Sequence, residues 1–460
     1  MSALNRKSSA EKTTNMVGTE VNKISTEKEL TRLVLACMLF EDQFYWSGKT
    51  HAEALKELVS KVDPTKVAAL AARARDEFKL RHVPLYLCVA LARIGKLSAD
   101  ALNDVIQRPD EMGEFVAQYW QPKKQPLANQ VKKGLAKAFK KFNEYQLAKF
   151  DKNSAAVSVR DVMFLCHPKP DTKAQEELFK RIASKQLETP DTWETNLSAG
   201  ADKGETFGRL MDEGKLGALA FIRNLRNMTE AGISSDKIRT YAKRVSVDKV
   251  LPFRYIAAAK HAPQFEDMLE DMMLRSLAVA PKLPGRTVLV IDTSGSMWSP
   301  LSGKSEINRQ EAAAALAILA REICEEVVIY ATAGNDGMRK HATMLIPNRR
   351  GFALSEYIGS SELRGKIGGG GIFTHQVMEY ISEKEKANRI DRVIIFTDEQ
   401  DCDFRSNPGT ARTLAPAGKN YIMNVGAYQN GINSGKWETI TGFSEAALEY
   451  VRMSEQECLN

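Results

Sequence analysis

The feature that most constrains this chain is a continuous apolar run that ends in a short polar loop. Residues 287–291 read Thr-Val-Leu-Val-Ile, and the segment Asp292–Ser296, of sequence Asp-Thr-Ser-Gly-Ser, follows directly. A run this rich in β-branched residues, without polar alternation, is typical of a strand buried on both faces of a parallel sheet. Open parallel sheets bind their ligands at the carboxyl ends of the strands. The polar loop therefore lies where such a sheet would hold a ligand.

Strands and helices alternate after this run, which predicts a doubly wound α/β domain with a parallel sheet over residues 285–460. The predicted strands are residues 287–291, 327–330, 393–396 and 421–425, and the predicted helices are about 308–322 and 376–387. The change of pattern comes at the sequence Pro-Lys-Leu-Pro-Gly of residues 281–285.

Three side chains of the polar loop offer oxygen ligands. They are the carboxylate of Asp292 and the hydroxyls of Ser294 and Ser296. Hard divalent cations prefer oxygen ligands, and Mg²⁺ also demands near-octahedral geometry. The spacing D-x-S-x-S resembles the first element of the metal-ion-dependent adhesion site of von Willebrand factor A domains. The alternative that needs no metal is a loop that only caps a helix N-terminus.

The same resemblance implies two further ligands from later loops. Asp398 follows the predicted strand at 393–396 and would supply a carboxylate. The family's Gly-Gly-Thr-Asp loop corresponds to residues 368–374, where Ile372 and Phe373 intervene before the threonine and His375 replaces the acid. The implied ligands of one divalent cation are Asp292, Ser294, Ser296, Thr374 and Asp398. Mg²⁺ is the expected ion, with Mn²⁺ and Ca²⁺ as alternatives.

Residues 21–280 show helical periodicity. The apolar residues Leu30, Leu33, Val34, Cys37 and Met38 recur at i, i+3, i+4, i+7 and i+8, which places them on one helix face. Prolines interrupt this pattern repeatedly. A stretch of this length, built of helix pairs without a clear repeat, predicts an irregular α-solenoid of the HEAT type. The polar segment 1–20 is predicted to be a disordered tail.

Several classes of protein are excluded by what the sequence lacks. It has no uncharged apolar run long enough to span a membrane, and its start has no apolar signal segment. The six cysteines form no C-x-x-C pair, which suits free thiols in a reducing cytosol. The segments 47–50 and 302–305 lack the upstream glycine of a P-loop. We therefore expect a cytoplasmic protein that is not an enzyme.

The net charge of +7 is unevenly distributed. Residues 1–280 contain 45 Lys and Arg against 36 Asp and Glu, whereas the remaining residues contain 20 against 22. This asymmetry predicts a polyanionic partner for the helical part.

The densest positive charge lies in residues 121–152, which we call the basic segment and which has nine lysines against two acids. Lys133, Lys137, Lys140 and Lys141 recur at i, i+4, i+7 and i+8, so they are predicted to line one helix face. Such a face would bind phosphates with salt-dependent affinity. A solvated lysine face without a ligand is the alternative.

Four motifs resemble those of the Ro family, also called TROVE-domain proteins. They are KKFNEYQLAKF at 140–150, SVRDVMFLCHPKP at 158–170, AFIRNLRNMT at 220–229 and PFR at 252–254. The second is similar to the family's S-x-(K/R)-D-x-x-x-x-x-H-x-K-P motif. The third is similar to A-L-x-R-N-L-x-x-M-T with Phe221 in place of leucine, and the fourth to H-P-F with Leu251 in place of histidine. The chain looks like a bacterial or phage member.

The resemblance implies a ring of helical repeats that is closed by a von Willebrand factor A domain. It also implies a monomer that binds small Y-like RNA on its outer surface and the 3′ ends of misfolded RNA in the central hole, for RNA quality control. An exoribonuclease partner follows by family analogy alone. The resemblance assigns RNA contacts to Lys149, Arg160, His167 and Lys169. The basic segment adds Lys132, Lys133, Lys137, Lys140, Lys141 and Lys152.

A second function stays open from the sequence. In this alternative the chain is a protein–protein adaptor, whose cation captures an acidic residue of a partner while the helical part serves as a scaffold.

Overall fold

The computed structural model of the chain describes residues 12–14, 20–22, 25–35, 48–151, 155–248, 250–278, 282–301, 307–399, 401–403, 414–426, 437–442 and 445–457. The chain divides into two compact units. The helical unit comprises Glu53–Val250 and Ala257–Met272. The sheet unit comprises Met1–Ala52, Leu251–Ile256 and Met273–Asn460.

The helical unit contains only helices and their connections among its described residues. Its helices are most of α2 (Gly48–Lys61), α3 (Pro64–Asp76), α4 (His82–Arg93), α5 (Ala99–Val105), α6 (Pro109–Tyr119), α7 (Asn129–Phe139), α8 (Glu144–Phe150), α9 (Val159–Cys166), α10 (Lys173–Ala183), α11 (Trp193–Ser198), α12 (Lys203–Asp212), α13 (Ala218–Arg223), α14 (Leu225–Glu230), α15 (Ser235–Arg244) and parts of α16 (Phe253–His261) and α17 (Glu266–Leu277). No helix within the described ranges is long and apolar enough to cross a membrane.

Alternate helices of this unit stack on one another. Helix α3 contacts α5, α5 contacts α7, and α7 contacts α9, while α4 contacts α6. A buried ion pair also links α3 to α6, in which Arg75 of α3 donates to Glu111 of α6 over 2.7 Å. The other carboxylate oxygen of Glu111 accepts the backbone N–H groups of Gln107 and Arg108 at the start of α6. Helices α3 to α9 are therefore packed against one another in alternation.

The sheet unit contains one six-stranded sheet. Its strands are β3 (Leu283–Asp292), β4 (Cys324–Asn335), β5 (Lys340–Leu345), β6 (Arg392–Thr397), β7 (Lys419–Asn424) and β8 (Glu438–Thr441), in the order β5-β4-β3-β6-β7-β8. The prediction of a wholly parallel sheet is wrong at one edge, where β5 runs antiparallel to β4. A short hairpin joins these two strands, and only an antiparallel neighbour can be reached by so short a connection. Neither β5 nor β8 was predicted.

Helices cover this sheet on both faces. They are α18 (Arg309–Ile323), α19 (Gly351–Ile358), α20 (Ser361–Ile367), α21 (Thr374–Lys384) and α22 (Glu445–Glu457). Val288 and Val290 of β3 pack with Val377 and Ile381 of α21 in one apolar core. Successive side chains of a strand point to opposite faces. The intervening residues of β3 therefore face the other layer, where the alanine-rich α18 contacts β3, β4 and β6.

Two predictions for the N-terminal part of the chain differ from the structure. Helix α1 (Thr26–Leu35) belongs to the sheet unit and contacts β8, although residues 21–280 were predicted to form one helical domain. Its amphipathic pattern shows that one face will be buried but not against which element. The predicted disordered tail includes a strand, β1 (Lys12–Thr14), which pairs antiparallel with β2 (Glu20–Asn22). The rest of residues 1–19 lies outside the described residues.

One close approach in the helical unit is possible only with glycine. Gly113 of α6 lies against the main chain just before α9, and a Cβ atom at this position would overlap the carbonyl oxygen of Val157. Overfilling a packed contact of this kind costs about 1–3 kcal/mol.

We expect Gly113→Ala to lower the free energy of unfolding of the protein by that amount in chemical denaturation. Gly208→Ala is the matched control, because Gly208 lies within α12 and its added Cβ would meet only the flexible end of Lys237, at 3.6 Å. This second change should stabilise the helix by about 0.5–1 kcal/mol. Equal effects of the two substitutions would contradict the close approach at Gly113.

Candidate metal centre and nucleic-acid interface

The five predicted cation ligands, which we call the cation site, come from three loops of the sheet unit. Strands β3 and β6 are parallel neighbours, with Ile291 opposite Phe396. This register places the ends of both strands side by side. Asp292 ends β3 and Asp398 follows β6, and both carboxylates are fully buried.

The carboxylate of Asp292 is held on both of its oxygens. Oδ1 accepts the backbone N–H of Ser294 over 2.8 Å, and Oδ2 accepts the hydroxyl of Thr397 over 2.6 Å. Burial, and next the charge of Asp398, raise the pKa of Asp292 to about 7. A divalent cation would oppose both causes, because its charge offsets the repulsion and the loss of hydration.

The two serine hydroxyls are spaced as neighbouring ligands of one ion. Ser294 Oγ and Ser296 Oγ are 3.3 Å apart. Adjacent ligands of an octahedral Mg²⁺ at about 2.1 Å are about 3 Å apart. The donor set of two carboxylates and two hydroxyls therefore fits a hard divalent cation.

The glycine-rich loop approaches the same place, and its departures from the family pattern have a structural reason. Ile372 and Phe373 are buried in the core, and the ring of Phe373 packs directly on Gly334 of β4. The loop contacts the serine loop through the N–H of Gly295, which donates to Gly370 O over 3.2 Å. The contact between the two loops is thus made by their main chains, at Gly295 and Gly370, and not by the Thr374 side chain.

The Thr374 hydroxyl is buried, and its Oγ1 atom has no partner in hydrogen-bond geometry among the described residues. It lies close enough to Asp401 to lower the pKa of that carboxyl, although burial raises this pKa to about 7 overall.

Two acids that the sequence analysis did not indicate approach the glycine-rich loop where it leads into α21. Asp401 accepts the backbone N–H of Thr374 over 3.1 Å, and Asp403 accepts the N–H of His375 over 2.7 Å. Both carboxylates therefore cap the N-terminus of α21 from a distant segment. The run of four acids between residues 398 and 403 was the signal that could have indicated them.

Arg309 is a further residue that the sequence did not indicate. It begins α18, is almost fully buried, and its Nη1 donates to Asp398 Oδ2 over 2.6 Å. The same nitrogen lies 3.4 Å from Ser296 O. A guanidinium thus balances one of the two buried carboxylates from within the protein. It also places a positive charge beside the predicted cation.

The basic segment in the helical unit differs from the single lysine face that was predicted. Helix α7 ends at Phe139, so Lys140 and Lys141 lie beyond the helix. Lys141 donates to the carbonyl oxygens of Asn103 and Ile106 at the end of α5, each over 2.5 Å. Its role is therefore to cap α5, and burial lowers its pKa.

Two more lysines of the predicted face are paired with acids. Lys137 lies 2.5 Å from Asp100, and Lys140 lies 2.6 Å from Asp171. A second basic group at residues 79–82 is likewise engaged, since Arg81 binds Asp110 and Glu114. These cations are less available to phosphates than their charges in the sequence suggest.

The remaining predicted contacts are exposed. Lys132, Lys133 and Lys169 form no ion pair with any residue that the structure describes. Lys149 is exposed and lies over the Tyr145 ring at 5.7 Å. Lys152 lies outside the described residues.

Arg160 and His167 lie on and just after α9. Arg160 Nε donates to Ala183 O over 2.8 Å. His167 is exposed and ends the helix in a left-handed conformation with φ 47°. This histidine is therefore a helix-terminal residue and not part of the core.

Comparison with known proteins bears on both units. A family model of the TROVE domain matches residues 179–284. The crystal structure of Deinococcus radiodurans RO (RSR) protein matches with a TM-score of 0.62 and 18% sequence identity, over 92% of this chain and 98% of that chain. The likeness to the TROVE model thus covers about a quarter of the chain, and the likeness to the Ro structure shows that the two chains share a fold. The TROVE match includes the motifs at 220–229 and 252–254. The Ro fold accounts for the helical part followed by a mixed α/β sheet.

Two curated proteins are similar to part of this chain, telomerase protein component 1 of Rattus norvegicus and of Mus musculus. Each is 29% identical over 111 residues, which is 23% of this chain. The chain spans about 4% of the length of these relatives.

The cation site predicts a stabilising response to added Mg²⁺ or Mn²⁺. At a concentration 100 times the dissociation constant, the cation should raise the free energy of unfolding by about 2.7 kcal/mol. Asp292→Asn and Ser296→Ala should each abolish this increase. Ser299→Ala, outside the ligand set, should keep it. Binding of Mn²⁺, followed by electron paramagnetic resonance, checks the result, and unchanged binding in Asp292→Asn would rule out the site.

The position of Arg309 generates a separate prediction. Arg309→Gln should weaken the cation-free protein by about 3–5 kcal/mol, because it leaves the buried carboxylate of Asp398 without its ion pair. The same change should tighten Mg²⁺ binding about tenfold or more, since it removes a positive charge beside the ion.

Thermal unfolding with and without Mg²⁺ tests both effects of this change. Arg321→Gln is the matched control, because Arg321 lies on the same helix but donates to Asn348 at its exposed end. Weaker Mg²⁺ binding in Arg309→Gln would mean that Arg309 positions Asp398 for the ion.

Proposed function

We propose that the protein binds RNA through the exposed cations of its helical unit. The observation that supports this most directly is that Lys132, Lys133 and Lys169 are exposed and form no ion pair with a described residue. An unpaired lysine keeps its full charge for phosphates, and release of condensed counterions then drives binding. Three further residues are proposed to contact RNA. Lys149 lies on α8, Arg160 lies on α9, and His167 is the residue after α9.

The finer parts of the proposal rest on the resemblance to Ro proteins. The protein would bind small noncoding, Y-like RNA and the 3′ ends of structured or misfolded RNA. It would act in RNA quality control in the cytoplasm. The helical unit would be a HEAT-like ring and the sheet unit an A-type domain that holds the cation. The protein would act as a monomeric RNA chaperone or tether, without catalysis, and an exoribonuclease would be its partner. Preference for structured RNA would then come from shape rather than from base sequence.

The three unpaired lysines make this proposal testable. The triple variant Lys132→Ala, Lys133→Ala and Lys169→Ala should bind a structured RNA with a 3′ tail at least about tenfold more weakly. The slope of log affinity against log salt should fall by about 2–3, since each phosphate contact contributes about 0.7–0.9.

A control of equal charge change locates the effect. The variant Lys203→Ala, Lys215→Ala and Lys237→Ala removes three lysines from α12, the residues just after it and α15. Its affinity and salt slope should stay near those of the unmodified protein. Equal losses in both triple variants would reduce the proposal to a general effect of net charge.

One observation favours the adaptor as a second function. Trp298 follows Ser296 by two residues, is 38% exposed, and has the Arg364 guanidinium 5.2 Å from its ring centroid. An exposed aromatic beside a cation is typical of a protein contact. Ultraviolet absorbance of the purified protein that nuclease removes would favour RNA. Its absence, together with Mg²⁺-dependent binding of an acidic peptide, would favour the adaptor.

A further inference from the structure

The solvent face of α9 carries an aromatic ring that internal packing does not explain. Phe164 is 48% exposed, although phenylalanine usually buries most of its surface. The helix does have a core face, and its buried residues are Val159, Val162, Met163 and Cys166. Phe164 falls between these positions on the helix. Its exposure therefore follows from the position it occupies rather than from a loosely packed helix.

Phe164 lies close in the chain to two of the proposed RNA contacts. Arg160 and Phe164 are spaced i and i+4, which places them on the same side of the helix, and His167 ends the helix three residues later in a left-handed conformation. Lys169 follows two residues later and is exposed. The only acid within α9 is Asp161, and its carboxylate accepts the backbone N–H and the hydroxyl of Ser158. The ring thus lies between two positively charged residues of the chain, Arg160 and Lys169.

The ring is also held in place. The Arg160 guanidinium carbon lies 5.1 Å from the Phe164 ring centroid, and Arg160 Nε is anchored to Ala183 O at the end of α10. This contact supports the ring, which stays 48% exposed. A support of this kind lowers the entropy that the ring loses when a flat ligand lies on it.

The same arrangement occurs twice more in the helical unit. Lys149 lies 5.7 Å from the ring of Tyr145, which is 49% exposed, and Lys124 lies 4.5 Å from the ring of Trp120. In each case the aromatic and the cation are four residues apart. The pairing at Phe164 is therefore a repeated feature of the described part of the helical unit.

We propose that Phe164 stacks on an unpaired base of single-stranded RNA, while His167 and Lys169 bind the phosphates beside that base. Every base has a flat π face, so stacking of this kind tolerates any sequence. A duplex covers the faces of its bases with their neighbours and would not gain from the ring. The proposal rests on the proposed RNA binding and adds the form of RNA that this surface takes.

Three substitutions of the same ring test the proposal, with a short unstructured oligonucleotide of uridine and adenine as the probe. Phe164→Ala should lower the affinity of the full chain about 5- to 100-fold, because one stacking contact is lost. The slope of log affinity against log salt should not change, since no phosphate contact is removed. Phe164→Leu should also bind weakly, because leucine has no aromatic face. Phe164→Trp should bind about as tightly as the unmodified protein.

Fluorescence gives a readout that a merely structural role would not produce. The emission of Phe164→Trp, measured as a difference from the unmodified protein, should be quenched by the single strand and not by the same strand in a duplex. Leu219→Ala is the control, because Leu219 is also exposed, at 40%, and lies on α13 of the same unit. Its affinity should equal that of the unmodified protein.

The outcomes separate the stacking proposal from the proposed function. If the unmodified protein binds RNA and Phe164→Ala binds it equally well, stacking is wrong and RNA binding stands. Equal losses for single strand and duplex, or a reduced salt slope in Phe164→Ala, would also overturn stacking. If the unmodified protein binds no RNA at low salt, both proposals are wrong.

Discussion

The parallel register of β3 and β6 is the constraint on which the cation site depends. It brings Asp292 and Asp398 to one edge of the sheet and buries both carboxylates there. Two buried like charges repel each other and lose their hydration, so each must be compensated. Asp292 accepts two hydrogen bonds, and Asp398 pairs with Arg309. This compensation is incomplete, because the pKa of Asp292 is still raised, and a divalent cation would complete it.

Availability, rather than number, decides which lysines can bind a polyanion. The basic segment has a large positive charge, yet Lys137 and Lys140 face Asp100 and Asp171 from other helices. Lys141 serves the carbonyl end of α5. These partners are more than thirty residues away in sequence, so charge counting could not reveal them. The lysines that stay unpaired among the described residues are therefore fewer than the sequence suggests, and the proposed RNA contacts rest on them.

Local sequence patterns predicted four of the strands and the residues of the Asp292 loop. The apolar runs at β3, β4, β6 and β7 indicated strands, because each is buried on both faces. The candidate oxygen ligands of the Asp292 loop could be grouped from the sequence because they lie within five residues. Predictions failed where a distant partner decides the outcome. Helix α1 joins the sheet unit through contacts with β8, and α21 is capped by acids from another loop. Edge strand β5 is only half-buried, so its sequence carries a weak strand signal.

The two candidate sites use opposite physical regimes, which makes their roles separable. The lysines and Phe164 are exposed, so monovalent salt screens the lysine charges over about 8 Å while leaving the stacking contact largely intact. The carboxylates of the cation site are fully buried and respond little to monovalent salt. They respond instead to a divalent ion that can replace lost hydration. Weakening by monovalent salt therefore reports on the exposed lysines, whereas strengthening by a divalent ion reports on the cation site. A partner whose binding follows one and not the other is thereby assigned to its unit.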